Sequence, residues 1–225
     1  MSNGRHIPLR NSCFSPSLQM KAIMFKPRIL LAALLTAGLV SGAQAATAWN
    51  EAVSGDLSNI GTTPTVVTFG SGSNVVNGVT GRDGAGVVDR DYFTFTIAPG
   101  WQLDTLTLLP GSTFIGGAAA SFIAMQVGPV MTVDPESGSA TGLLGWWLYN
   151  ENDIGFDILQ LMGSSPGAVG YSGPLPAGSY TVWVQETATG DAAYNFDFAV
   201  TQVPEPASAL LMLAGVAGLV ARRRR

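Results

Sequence analysis

Two clusters in the interior of this chain carry side chains that could do chemistry. Asp83, Asp89 and Asp91 fall close together around Gly84 and Gly86. Calcium takes about six to eight oxygens from carboxylates and carbonyls, and glycines between acids let the backbone curl around an ion, so these three form a candidate calcium site. Their spacing is not that of an EF-hand loop. The competing reading is that Asp83 caps a turn, Asp89 and Asp91 solvate a strand edge, and Arg82 or Arg90 pairs with one of them. The second cluster is Trp146, Trp147 and Tyr149, with Trp101 and Trp183 as further candidates. Such rings stack on sugars, or they pack. Neighbouring tryptophans on a strand point to opposite faces, so one is expected in the core and the other exposed. Glu151 with Asp153, or Asp153 with Asp157, could flank a glycosidic bond only in a cleft that raises one pKa. Their spacing indicates neither, and no catalytic residue is assigned.

An absence narrows the chemistry further. The single histidine, His6, and the single cysteine, Cys13, lie near the start, and residues 46–203 contain no lysine. That segment offers no thiol nucleophile, no Ser-His-Asp relay, no Schiff base, no disulfide and no ordinary zinc, copper or haem site. Its only cations are Arg82 and Arg90, against fourteen acids, since Glu205 is the one acid outside it; its formal charge is −12. Such a surface repels nucleic-acid phosphates and anionic lipid, while divalent cations and neutral glycans stay compatible. No resident cofactor is expected beyond the candidate calcium, and no enzymatic activity.

The elements that must position these residues read as β structure. Phe93, Phe95 and Ile97 alternate with Thr94 and Thr96; Tyr180, Val182 and Val184 alternate with Thr181, Trp183 and Gln185; Tyr194, Phe196, Phe198 and Val200 alternate with Asn195, Asp197, Ala199 and Thr201. This period of two predicts strands over 91–97, 179–186 and 193–201, each with one buried and one wet face. Weaker strands are expected over 65–69, 74–79, 103–109, 121–127 and 145–148, with Gly/Pro turns between them. No helical stripe of three turns occurs in residues 46–203. A short strand or helical turn is expected near 156–162, and a local function in the Gly/Ser-rich stretches 130–142 and 150–173 or in a loop over 72–91. The fold class is all-β, an antiparallel β-sandwich or jelly roll over residues 46–202, with Val182, Val184, Phe196 and Phe198 in its core.

Asp89-Arg90-Asp91-Tyr92-Phe93-Thr94-Phe95, the turn at Pro99-Gly100, and Leu175-Pro176-Ala177-Gly178-Ser179-Tyr180-Thr181-Val182 resemble the pre-peptidase C-terminal domain. This is a secreted β-sandwich found beside bacterial proteases and collagenases. The resemblance implies an accessory or binding module, sometimes stabilised by calcium, without a reaction of its own. The long region 118–173 departs from it.

Both ends read as addresses. Lys21, Lys26 and Arg28 precede an apolar run over 29–40 and then Ala43-Gln44-Ala45, the small-x-small form of a signal peptidase site, so a cut is expected between Ala45 and Ala46. This order works best from a start at Met20 or Met24 instead of Met1, and residues 1–45 are taken as an extension plus signal peptide. At the other end, Val203-Pro204-Glu205-Pro206 leads into fifteen apolar and small residues, 207–221, and then Arg222, Arg223, Arg224 and Arg225. As a helix that run reaches roughly 22 Å, short of the ~30 Å hydrocarbon core, and the arginines stay cytoplasmic, which leaves the rest of the chain outside.

Pro204-Glu205-Pro206, the apolar span and the arginines, in this order, resemble the PEP-CTERM exosortase-sorted proteins of Gram-negative bacteria that make extracellular polysaccharide. The resemblance implies that an exosortase in the inner membrane recognises residues 203–225 and cuts near the motif, where two prolines keep the chain extended. The tail is then a substrate, with signal peptidase and exosortase as processing partners and extracellular polysaccharide as a candidate ligand. The expected end point is the cell surface or extracellular matrix, with a structural or adhesive role linked to exopolysaccharide and biofilm. A carbohydrate- or calcium-binding accessory module is the alternative, and a secreted carboxylate hydrolase the third reading.

Overall fold

The computed structural model describes residues 46–115, 121–203, 211–215, 219, 222 and 223. Among the described residues there are nine strands: β1 (Ala46–Asn50), β2 (Thr65–Val66), β3 (Gly72–Arg82), β4 (Val88–Ile97), β5 (Trp101–Leu108), β6 (Ser121–Val127), β7 (Gly145–Tyr149), β8 (Gly178–Gln185) and β9 (Gly190–Gln202). Two short helices, α1 (Glu51–Ser54) and α2 (Leu159–Gly163), and a 3-10 turn over Glu151–Asp153 lie between them.

The strands run in the order β5-β9-β3-β4-β8-β6-β7, with β1 added to β3 and β2 to β4. All pairings along the main path are antiparallel, and the two added strands are parallel. β3 and β4 pair only beside their turn, at Gly81 with Asp89 and Arg82 with Val88. Beyond that they diverge, and the sheet curls into two facing halves. β5, β9, β3 and β1 form one half; β2, β4, β8, β6 and β7 form the other. This is the antiparallel sandwich that the period-two pattern predicts.

Leu103, Leu106 and Leu108 of β5, Val76 of β3 and Phe196 and Phe198 of β9 meet Phe93 and Phe95 of β4 and Val182 and Val184 of β8 in one buried cluster. Phe198 touches Phe95 at 5.6 Å and stands edge-on to Phe93 at 5.8 Å between ring centres. Asn74 is buried and ties this core to a loop: its Nδ2 donates to the carbonyls of Gly70, Gly72 and Phe198, and its Oδ1 accepts from Gly70 N.

The observed strands depart from the expected ones in four ways. β1 has no alternating signature and forms by adding to β3. The strand expected over 65–69 shortens to Thr65–Val66, because Val67 turns into the core and Phe69 stacks on Phe95 at 4.3 Å. Residues 72–91 are not a loop: β3 and β4 close there as a hairpin, with Gly86 at φ +88° in the turn. Finally, the wet outer face expected on every strand holds for β9 but not for β4 and β8. Tyr92 and Trp183 on that side are buried in a second cluster with Ala124, Met131 and Leu143. The segment after β6 closes over them, fastened by Thr181 Oγ1 donating to Gly128 O and by Met131 N donating to Gly61 O, both at 2.8 Å.

Replacing Phe198 with alanine removes the ring shared by both halves and is expected to cost about 3–5 kcal/mol. Val66→Ala, at a side chain that is 73% exposed, is expected to cost under about 0.5 kcal/mol. Urea midpoints of the two variants check the contrast.

Candidate functional site

Three elements converge on a carboxyl pair, Asp91 buried and Glu51 half-buried, with the exposed Asp56 beside it. Asn50 caps α1 by accepting from Ala52 N, which places Glu51 in the first turn. The Glu51 carboxylate accepts Leu57 N at 3.1 Å on Oε1 and Val79 N at 2.7 Å on Oε2, fixing α1 against β3. From β4, Asp91 is fully buried; its Oδ2 accepts the Tyr194 hydroxyl of β9 at 2.7 Å, and its Oδ1 has no hydrogen-bond partner. Glu51, Asp56 and Asp91 each offer an oxygen within 4.8 Å of the others. Gly78 makes the room: a Cβ there would lie 2.5 Å from Glu51 Cδ and from Tyr194 Oη.

Burial, with the Glu51 charge second, pushes the Asp91 carboxyl up to about 8, against the lowering effect of the Tyr194 hydroxyl. Glu51 is raised as well, again by burial, although the bonds from Val79 and Leu57 favour its ionised form. With two backbone donors on Glu51 and one hydroxyl on Asp91, the proton of the pair belongs to Asp91. Asp89 is raised by burial, held down by the Asn59 side chain and raised again by Asp56 and Asp191. An orphaned buried carboxylate oxygen beside two more carboxylates can be satisfied by a proton or by a hard divalent cation.

The three acids expected to form a calcium site do not come together. Asp83 is exposed and its Oδ1 caps its own turn, accepting from Ala85 N and Val87 N at 2.9 and 2.8 Å. Asp89 also stands outside the group, and Asp91 joins Glu51 and Asp56 instead. The turn-capping reading of Asp83 fits, whereas a solvating role for Asp91 does not, since it faces Tyr194 in the interior. Arg90 pairs with Glu136 and donates through Nε to Gln185 Oε1 at 2.9 Å, leaving the acidic group without it. Glu51 and Tyr194 carry no sequence signal for this role: the first lies beside an unpatterned strand, and the second sits in an alternation that reads as core.

The aromatic cluster divides across β7. Tyr149 is a core residue, edge-on to Phe196 at 5.1 Å, so it presents no face to a ligand. Trp147 packs on the same core, with its Nε1 donating to Asp153 at 3.4 Å. Trp146 points the opposite way, stacks on Phe122 with ring centres 6.2 Å apart, and donates to Pro166 O at 3.0 Å. With Phe122, Leu148, Trp183 and Gln185 it lines a cleft of about 300 Å³, rimmed by residues between Asp134 and Leu143. Trp183 is among the further candidates of the sequence, whereas Phe122 carries no signal there apart from strand alternation.

The acids considered for hydrolysis are engaged locally. Asp153 Oδ2 accepts Asn150 N at 2.9 Å in a capping box, and Asp157 Oδ1 accepts Leu106 N and Leu159 N, each at 2.9 Å. Of the sorting residues, Val203 closes β9 by donating to Gly100 O at 2.8 Å, and Arg222 and Arg223 are exposed. Ala46 opens β1. Ala43, Ala45, Pro204, Glu205, Pro206, Arg224, Arg225 and the apolar run over 29–40 lie outside the described residues. Among the described residues no helix is long and apolar enough to cross a membrane.

Residues 202–225 match the family described as the PEP-CTERM protein-sorting motif. The motif marks an exported protein that exosortase recognises and that passes through a membrane-anchored intermediate to the surface or the exterior. Among solved structures, the pre-peptidase C-terminal domain of a collagenase from Bacillus anthracis is similar, at 14% identity and a TM-score of 0.33, over 60% of this chain and 94% of that one. No curated protein matches.

Asp91 has a pH signature whose sign follows from its upward shift. The folded state binds a proton that the unfolded chain releases near the ordinary value of 3.8, so this contribution to stability is complete below about pH 4 and is lost as pH rises to about 8. In chelator, urea midpoints are expected to fall across that window. Asp91→Asn, which keeps an acceptor for Tyr194 and removes the titration, is expected to flatten the curve and to match or exceed the parent at pH 8.

Proposed function

We propose that the exported chain is a surface or matrix protein without a reaction of its own, with a structural or adhesive role in extracellular polysaccharide. The observation that carries this reading is where the sorting tail departs. β9 is hydrogen-bonded along both edges, to β3 and to β5, and ends at Gln202, the first residue of the matched motif. An interior strand therefore runs directly into the matched motif, and a cut near Pro204–Pro206 leaves β1 to β9 whole. That arrangement suits a module that holds tension between its tail and its surroundings. The exposed apolar side chains Leu211, Met212, Leu213 and Leu219 suit a tail whose partner is membrane or exosortase and not this sandwich. Signal peptidase would act first, after Ala45.

Calcium binding is a second reading, favoured by the approach of the Asp91, Glu51 and Asp56 carboxylates to within 4.8 Å of one another. Those three carboxylates would supply the hard oxygen ligands, and an ion there would fasten α1 to β4.

Changing Pro204 and Pro206 together to alanine is expected to leave the protein in the inner membrane with its tail attached. Mass spectrometry of the membrane and extracellular fractions reads the outcome, and release of the double variant with the parent's C-terminus would refute sorting through this motif. For calcium, a dissociation constant of ~0.1–1 mM, the range of extracellular modules, means that 10 mM ion adds about 1.4–2.7 kcal/mol, or roughly 3–10 °C in melting temperature. The rise is expected to be larger at pH 8 than at pH 5, where the Asp91 proton competes, and to vanish in Asp91→Asn. An unchanged melting temperature in 10 mM calcium at pH 8 excludes the ion.

A further inference from the structure

We infer that the cleft over β6, β7 and β8 binds a neutral polysaccharide chain by stacking sugar rings on Trp146 and Phe122. This deepens the matrix reading and rests on it, since it names the ligand class through which the domain would be held.

Four observations converge on that occupant. The first is the wall. Phe122 and Trp146 lie nearly parallel, 26° apart, while Trp183 meets Phe122 edge-on at 4.8 Å, and Leu148 is 43% exposed beside them. A half-open apolar wall of this kind matches the C–H faces of a pyranose ring. The second is a fixed platform. The Trp146 N–H is bonded to Pro166 O, so that ring is held in place. Trp183, 5% exposed and with its indole N–H shut off from solvent, backs the wall as an apolar support.

The third observation is charge. Residues 46–203 carry −12, and Asp134 stands at the rim of the cleft. Arg90, the cation nearest to Gln185, is occupied by Glu136 and by the Gln185 amide oxygen. A uronate, sulfate or phosphate polymer would meet repulsion and no free guanidinium, so the ligand is uncharged. The fourth is scale. About 300 Å³ sits at the lower edge of ligand-sized clefts, room for a short stretch of a sugar chain. A polymer with equatorial linkages presents flat ring faces in succession and is the class that fits.

The test uses the exported protein purified from the extracellular fraction, with cellohexaose as the neutral probe and oligogalacturonate as the anionic one, followed by tryptophan fluorescence and calorimetry. Cellohexaose is expected to bind in the millimolar range or tighter, and oligogalacturonate not to bind. Trp146→Ala is expected to weaken binding about tenfold or more. Leu148→Glu, which adds a charge at an exposed position without hollowing the core, is expected to do the same. Trp147→Phe, on the core side of the same strand, should bind as the parent does. Melting temperatures identify any variant that fails to fold, and Leu148→Glu then decides. No heat with cellohexaose, equal binding of both probes, or parental binding by both Trp146→Ala and Leu148→Glu overturns the inference. If the cleft variants are processed and released normally, the inference fails alone and the sorting reading stands; retention of the parent protein in the cytoplasm defeats that reading instead.

Discussion

The pairing of β4 with β8 is the constraint on which the rest depends. Their register sets Phe93 opposite Val182 and Tyr92 opposite Trp183, so inner and outer faces are both apolar at the same level of the ladder. A strand with two apolar faces must be covered twice. On the inside, Phe196 and Phe198 of β9 supply the cover; on the outside, Met131 and Leu143 of the connection between β6 and β7 do so. The length of that connection, which looks like an unpatterned insertion in the sequence, follows from this second requirement. So does the cleft, because the cover stops short of β7 and leaves Trp146 and Phe122 at its margin.

Seen this way, the sequence was legible where burial is one-sided. β9 alternates buried Tyr194, Phe196, Phe198 and Val200 with half-exposed partners, and that pattern gives the strand over 193–201, to which pairing with β3 adds Gly190–Ala192. β8 was placed equally well, but its outer face could not be, since Thr181 and Trp183 look like a wet face until a distant loop is known to close on them. β1 was invisible for the opposite reason: five residues joined in parallel to β3 need no pattern of their own. The candidate sites show the same division. Asp83 capping its turn depends on residues two and four positions away and was anticipated. The Glu51–Asp91 pair joins residues forty positions apart across different elements, and no local spacing encodes it.

The carboxyl pair also has an architectural meaning. Glu51 spends both oxygens on backbone donors of Leu57 and Val79, so its charge staples the first turn of the domain to β3. Asp91 gains one hydroxyl and loses all water. A buried carboxylate held this way is costly unless it is neutralised. At neutral pH a proton suffices, and the upward shift to about 8 expresses that. Any cation that entered beside Glu51 and Asp56 would have to displace that proton.

β9 lies in the half built on β5, β9 and β3, and the cleft lies over β6, β7 and β8 in the other half. β9 is held on one edge by β3, from Gly190 to Val200, and on the other by β5, from Phe196 to Gln202. With no disulfide available and only two cations in residues 46–203, that pairing and the rings of Phe93, Phe95, Phe196 and Phe198 carry the cohesion of the two halves. A strand paired on both edges and a cysteine-free aromatic core are thus two parts of one physical solution.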